Sequence, residues 1–425
     1  MEKYKHIKLE DLPKDWSVGF FKDLATYNLG RTPTRNIKKF WDDGVYPWVS
    51  IADMFPYGII LGTKEKVSEI AHNELFRKRL VPAGTLLMSF KLTIGRVSKL
   101  GISAYHNEAI ISIYIKNKDV VFDDYLFYYL SQIDYSNYHD TAVKGKTLNK
   151  GKIDKLEIAL PPLDEQHRIA HVLTTVQTAI EQQAKLIDLT RELKSTLMGK
   201  LFTEGLRGEK QKEIENRFVP ANWKQLRLEE TGDVIYGIQA AVANNLLPIG
   251  MKILTNKNIT LDGQIVLDEI NYFELKTKRH FDSVLQKGDI LFNWRSGSKE
   301  HIGKTAYFNL DGEYTHSSFI LRIRPNESVS GRFLFWYLFY LRESGYFLQK
   351  HDISSVNATF NKSAVDALSV FLPLKDEQEE IASILDAVDS KIMLLKRRQD
   401  VQEELFRTLL HQLMTGQVRV KDLDI

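Results

Sequence analysis

TLNKGKIDKLEIALPPLDEQ, residues 147–166, is answered 212 positions later by TFNKSAVDALSVFLPLKDEQ, residues 359–378. Identical pairs run through the match: Thr147 and Thr359, Asn149 and Asn361, Lys150 and Lys362, Asp154 and Asp366, Leu156 and Leu368, Leu160 and Leu372, Pro161 and Pro373, and the closing Asp-Glu-Gln of 164–166 and 376–378. Upstream the register drifts but the pattern persists. Pro13 and Trp16 answer Pro220 and Trp223, and VPAGTLLMSF (81–90) answers LQKGDILFNW (285–294). Insertions and deletions in surface loops leave such drift behind. A period near 210 is far too long for a solenoid, so one domain-plus-helix unit is used twice.

Each copy of the motif leads into a heptad pattern. In the first, Ile169, Leu173, Val176, Ile180, Ile187, Leu197 and Leu201 recur at steps of four and three, with Gln183, Thr190 and Lys194 at intervening seam positions. The second repeats the register with Ile381, Leu385, Val388, Ile392, Leu395, Phe406, Leu409 and Leu413, interrupted by Gln399 and Gln402. This spacing predicts a coiled-coil seam, in which polar positions lower stability but fix register and partner. Pro161 and Pro373 close a strand-like run before each helix. Asp376 with Glu379 predicts an Asp-x-x-Glu capping box, incomplete in the first copy, where His167 stands at the third place. Gly205 and Gly416 supply the stops. Each helix is expected to run for about 40 residues, roughly 60 Å at 1.5 Å per residue.

These boundaries divide the chain into a first domain (1–160), a spacer helix (161–206), a second domain (207–372) and a second spacer helix with its tail (373–425). Both domains read as mixed α+β. Runs such as AIISIYI (109–115) and FILRIRP (319–325) are strand-like. DYLFYYLSQI (124–133) and RFLFWYLFYL (332–341) each predict a core helix dense in aromatic residues.

Composition narrows the chemistry. The chain has no cysteine, which excludes disulfides, thiolate zinc sites and cysteine nucleophiles. No apolar run reaches about 18 residues and the start is charged, so no membrane segment is expected and a cytoplasmic location is. With 58 Lys+Arg against 55 Asp+Glu the net charge is only +3, and the positive excess sits in the first 160 residues. Nucleic-acid binding is therefore expected through local clusters, without a polybasic surface.

Catalytic motifs are imitated rather than present. SKEHIGKT (298–305) lacks the first glycine of a phosphate loop and leads into a strand-like run instead of a helix. The acidic DEQ preface is explained by the helix macrodipole. His167 and His171 stand one helical turn apart without a third ligand. No catalytic residue and no metal site is expected.

Two variable α+β domains alternating with two similar long helices, each prefaced by Leu-Pro-x-x-Asp-Glu-Gln, resemble the specificity subunit of a type I restriction-modification enzyme over essentially the whole chain. LGRTPTR (29–35) is similar to the family's Gly-x-Thr-Pro segment, whereas the second copy reads YGIQAAV (236–242). The resemblance implies an α+β fold in which two homologous target recognition domains are separated by an intramolecular, antiparallel, pseudo-twofold coiled coil. It implies a non-catalytic subunit that binds double-stranded DNA at a bipartite, asymmetric target, each domain reading one half-site. Methylation subunits carrying S-adenosylmethionine would methylate adenine, and restriction subunits using ATP and Mg would cleave, with no cofactor in this chain. The competing expectation is a coiled-coil adaptor that organises proteins without reading sequence.

Phosphates call for Lys, Arg and hydroxyl side chains on loops, and base edges for Arg, Lys, Asn and Gln. In the first domain such residues on turn-like stretches are Arg31, Thr34, Arg35, Lys91, Thr93, Arg96, Lys144 and Lys146. In the second they are Gln239, Asn293, Arg295, Ser296, Ser298, Lys299 and Lys304.

Overall fold

The computed structural model describes residues 9–138, 140–142, 145–238, 249–296, 299–349 and 358–420. They belong to two compact units: residues 1–184 together with 397–425, and residues 185–396. Four helices organise them: α1 (Asp123–Leu130), α2 (Leu163–Glu204), α3 (Gly331–Glu343) and α4 (Lys375–Met414). The long pair, α2 and α4, has 42 and 40 residues.

The first unit contains a five-stranded sheet in the order Ala25–Leu29, Ile110–Ile115, Leu86–Ser89, Val97–Leu100, Gly58–Ile60. All neighbours are antiparallel except the last pair. Side chains alternate between two layers, as the two-residue strand period requires. Leu86, Met88, Ile111 and Ile113 face the aromatic residues of α1, while Leu87 and Ile110 join Val49, Met54 and Leu100 on the opposite side. A three-stranded sheet places Tyr46–Val49 between antiparallel Glu65–Val67 and parallel Tyr105–His106.

The second unit repeats this plan. Its sheet runs Gly232–Tyr236, Ile320–Pro325, Ile290–Asn293, Thr305–Tyr307, all antiparallel. Ile290, Phe292, Leu321 and Ile323 face α3, whose aromatic residues are buried from Phe333 to Phe339, while Leu291 and Ile320 turn to the other layer. The small sheet again combines one antiparallel and one parallel neighbour, with Met251–Leu254 between Asn271–Phe273 and Tyr314–His316.

The repeated motif is the joint between each domain and its helix. Asn149 and Asn361 cap single-turn helices, their side chains accepting from the amides of Lys152 at 3.0 Å and Ala364 at 2.9 Å. The carbonyls of Leu156 and Leu368 then accept from the amides of Phe21 and Leu228 at 2.8 and 2.9 Å. The strands that follow, Glu157–Leu160 and Ser369–Leu372, pair antiparallel with Ser17–Phe20 and Lys224–Arg227. Gln166 donates to the Pro161 carbonyl at 3.0 Å and accepts from the Phe122 amide at 2.9 Å. Gln378 does the same with the Pro373 carbonyl at 3.0 Å and the Ser330 amide at 2.8 Å. Each buried glutamine thus ties the start of an aromatic helix to the start of a long one, satisfying amides that helix ends leave open.

The expected capping box is not formed. The amide of Gln378 already bonds the Leu374 carbonyl at 3.0 Å, so Asp376 lies inside the first turn rather than at the cap. Its charge, like that of Asp164, complements the positive end of the macrodipole from there.

Within each unit the long helices run antiparallel. In the first, Ile169 and Leu173 from the start of α2 share a core with Phe406, Leu410, Leu413 and Met414 from the end of α4. In the second, Met198, Leu201 and Phe202 from the end of α2 share one with Ile381, Ala382 and Leu385 from the start of α4. Ile187, Ile392 and Leu395 are buried, and Val176, Ile180, Leu197, Val388 and Leu409 half-buried. Met198, Phe202 and Leu410 are buried beside the expected seam because the helices cover domain cores as well as each other. No described helix is long and apolar enough to cross a membrane.

Candidate nucleic-acid interface

In the first unit the segment from Gly30 to Arg35 is held by its backbone. The amide of Gly30 donates to Ile110 and that of Arg31 to His106, at 3.2 and 2.8 Å, and the Trp48 indole donates to the Arg31 carbonyl at 3.0 Å. A Cβ on Gly30 would lie 2.0 Å from the Asn107 carbonyl oxygen, so only glycine allows this approach. Pro33 is buried, while Arg31, Thr34 and Arg35 are exposed. Arg35 nevertheless is committed within the domain: it forms an ion pair with Glu65 and its guanidinium stacks 4.1 Å above Trp41.

Arg31 is less committed: among the described residues its guanidinium donates to the Leu75 carbonyl at 3.5 Å. That contact brings it to a loop that sequence reading passed over. Arg77, Lys78 and Arg79 are exposed, and the first two adopt φ of +50° and +56°. Such left-handed geometry is uncommon for long side chains and tends to persist where the surroundings impose it. Arg31 and Arg79 also line a polar cavity of about 390 Å³, together with Asn28, Tyr105, Ser112 and His106. Burial pulls His106 down to a pKa of about 4, so the ring is neutral and the charge of this rim belongs to the arginines and the lysine. Three basic residues in a row, RKR at 77–79, were the available signal.

The second group in this unit is the loop after Leu86–Ser89. Thr93 is exposed; Lys91 is half-buried with its ammonium 5.2 Å from the Phe90 ring. Arg96 turns inward, donating to the carbonyls of Ile51 and Met54 at 3.1 and 3.3 Å. It braces the loop and offers little to a ligand. Lys144 lies outside the described residues, and Lys146 falls in the strand Gly145–Thr147 without a described side chain.

In the second unit, Arg295 and Lys299 are exposed at the equivalent place. Gln239 and Ser298 lie outside the described residues. Three expected surface residues are interior instead. Asn293 is fully buried and donates to the His301 carbonyl at 2.8 Å, and Ser296 is buried beside it. Lys304 is 3% exposed; its ammonium donates to the carbonyls of Asn256 and Ile259 at 2.7 and 2.6 Å, and burial pulls its pKa down to about 8. The phosphate-loop lookalike therefore spends its lysine on staking an internal loop, which removes Lys304 from any contact surface. A lysine can do this because three donors on a flexible stem reach two carbonyls together. Missed here were Lys276, Lys278 and Arg279, exposed around the single-turn helix Lys278–Asp282. Their signal was again a basic run, KTKR at 276–279.

Each unit thus presents exposed basic loops on an α+β domain that the repeated motif joins to the long helices by hydrogen bonds and strand pairing. Among the described residues no group of His, Asp or Glu could hold a metal ion. The family of type I restriction modification DNA specificity domains matches this chain twice, over residues 13–191 and 220–403. The chain belongs to that family of specificity subunits. It is similar to the MjaVIII specificity subunit of Methanocaldococcus jannaschii, 24% identical over all of this chain and 97% of that one. The HindI specificity subunit of Haemophilus influenzae is 28% identical over 35% of this chain and 33% of its own length. Solved structures share the fold, two of them over nearly the whole chain. The type I restriction-modification S subunit from M. genitalium matches with a TM-score of 0.57 at 14% identity, over 97% of this chain and 98% of that one. A chain solved in a study of type I complex assembly matches at 0.58 and 18%, over 96% and 99%. The duplicated domain and its helix are therefore those of a specificity subunit.

Proposed function

We propose that this subunit binds double-stranded DNA at a bipartite target, one half-site for each unit, and directs adenine methylation and restriction there without catalysing either. The observation that carries this is the duplication itself. Two domains of one architecture, each bearing exposed cations on equivalent loops, are fused by matching joints to one helix pair. A duplicated reader on a stiff spacer selects two short sequences at a set separation, by the geometry that relates dimeric readers to their operators. Arg31, Arg77, Lys78 and Arg79 in the first unit, and Lys276, Lys278, Arg279, Arg295 and Lys299 in the second, would supply the cationic contacts. Catalysis would belong to methylation subunits bringing S-adenosylmethionine and to restriction subunits using ATP and Mg, with this chain holding no cofactor. The reading puts the protein in the cytoplasm with the DNA.

Selection from a random duplex library of about three helical turns, using the chain with its methylation subunits, tests the proposal. Two short, different motifs at constant separation are the expected result. Retention without sequence preference would favour the adaptor.

A further inference from the structure

One residue of the first unit is disfavoured by both its backbone and its solvent. Leu92 is 67% exposed and has a φ of +64°. A left-handed conformation costs a residue with a Cβ roughly 1–2 kcal/mol, and Gly, Asn or Asp are the side chains that tolerate it. Exposed apolar surface adds nothing to folding, so neither term selects leucine here.

The loop around it is built rather than slack. Ser89 is fully buried and closes the loop at its base: its amide donates to the Arg96 carbonyl and its own carbonyl accepts from the Gly95 amide, both at 2.9 Å. Its hydroxyl accepts from the Arg96 amide at 3.2 Å and bonds the Thr93 carbonyl. Arg96 fixes the far side on Ile51 and Met54, and a Cβ at Gly95 would meet the Tyr135 ring at 2.2 Å. Leu92 is thus presented at the tip of a braced loop, between Lys91 and Thr93.

We infer that Leu92 is a specificity-determining residue of the first reader, making an apolar contact with the C5-methyl group of a thymine in its half-site. This deepens the function proposed above and rests on it. The major groove offers one apolar feature, the thymine methyl, and a loop backbone braced in advance lowers the ordering entropy of presenting a side chain to it. The flanking Lys91 and Thr93 carry donors suited to phosphates on either side of such a contact. In the second unit the corresponding loop carries Arg295 and no exposed leucine, so the preference belongs to one half-site.

The test begins with the duplex that the wild-type chain and its methylation subunits enrich, each thymine then replaced singly by deoxyuridine. At one position in one half-site, deoxyuridine should weaken wild-type binding roughly fourfold, the worth of one buried methyl. Leu92→Asn, which suits the left-handed backbone, should fold with an unchanged or higher thermal midpoint. It should bind the thymine duplex about fourfold more weakly and ignore deoxyuridine at that position. Wild-type indifference to every replacement would overturn the inference, as would a Leu92→Asn chain that still senses the methyl. So would 2-aminopurine fluorescence that rises on wild-type binding beside the sensitive step but not with Leu92→Asn, since that marks a wedge between bases. Loss of methylation subunits from Leu92→Asn would overturn it in favour of protein docking. If the wild-type chain enriches no duplex at all, the proposed function itself falls, an outcome distinct from all of these.

Discussion

At the scale of single residues, the two units share an arrangement that no motif announces. Gly30 packs on the backbone of His106, and Gly237 on that of His316, where an added Cβ would lie 2.0 and 2.3 Å, respectively, from the nearest carbonyl oxygen. Gly30→Ala has no flexible neighbour to displace and should cost the first unit about 3 kcal/mol, read as a lowered thermal midpoint. Both histidines are buried and held near a pKa of 4 by desolvation, with Arg322 nearby opposing protonation of His316 further. Between pH 4 and 6.5 the unfolded chain therefore takes up protons that the folded chain refuses. Stability is complete above about pH 6.5 and declines as pH falls toward 4, by up to about 3 kcal/mol for each histidine. Denaturant titrations at pH 7 and pH 5 should show that decline, and a flat profile would mean the rings protonate in place. Sequence reading could not see either feature, since a Gly and a His 76 or 79 residues apart meet only after the sheet forms. Lys304 was misjudged for a related reason: its charge and turn-like surroundings suggest solvent, and only the fold reveals two carbonyls waiting.

Helices were the most legible elements, because their heptads repeat and their stops are marked by glycine. What the pattern could not supply was the partner of each polar seam residue. Lys194 lies across the rings of Trp336 and Phe339, 4.7 and 4.8 Å from their centroids, and pairs with Asp389 at 2.5 Å. Asp389 also accepts from Gln264 at 3.1 Å, and Asp386 from Trp336 at 2.7 Å, so α3, a domain loop and both long helices meet in one ionic cluster. The first unit makes the matching attachment with neutral groups, Tyr128 bonding Thr174 and Gln177 at 3.1 and 3.0 Å. Removing one partner from a buried pair strands the other. Lys194→Ala should therefore destabilise the second unit by about 3 kcal/mol, with Lys194→Met milder because it leaves an apolar stem on the rings. A thermal midpoint unchanged in both variants would show that the cluster is not a brace.

For the whole molecule, the repeat in the sequence already carries the plan, since two copies of one joint imply two copies of what is joined. The direction in which the helices run was beyond the heptads, which fit either orientation; the shared cores and the ion pair of Lys194 with Asp389 decide it within each unit. Under the proposed function, removing one heptad from both α2 and α4 should change the tolerated separation of the half-sites and leave their sequences intact, which selection on a library would read directly. The first unit also depends on the far end of the chain. Arg419 pairs with Asp15 and Glu165 at 2.7 Å, and Val420 is fully buried. A chain ended after Lys396 should keep a protected second unit and lose protection in the first, as hydrogen exchange would show.

That dependence sets an order of events during synthesis. The second unit is contiguous and can close as soon as residue 396 has left the ribosome, whereas the first, although begun earlier, lacks Phe406, Leu410, Leu413 and Met414 until that point has passed. Through most of elongation the seam from Ile169 to Ile180 therefore has no helix to cover it, and nascent chains with exposed apolar surface are where aggregation begins. The domain translated first is the one finished last.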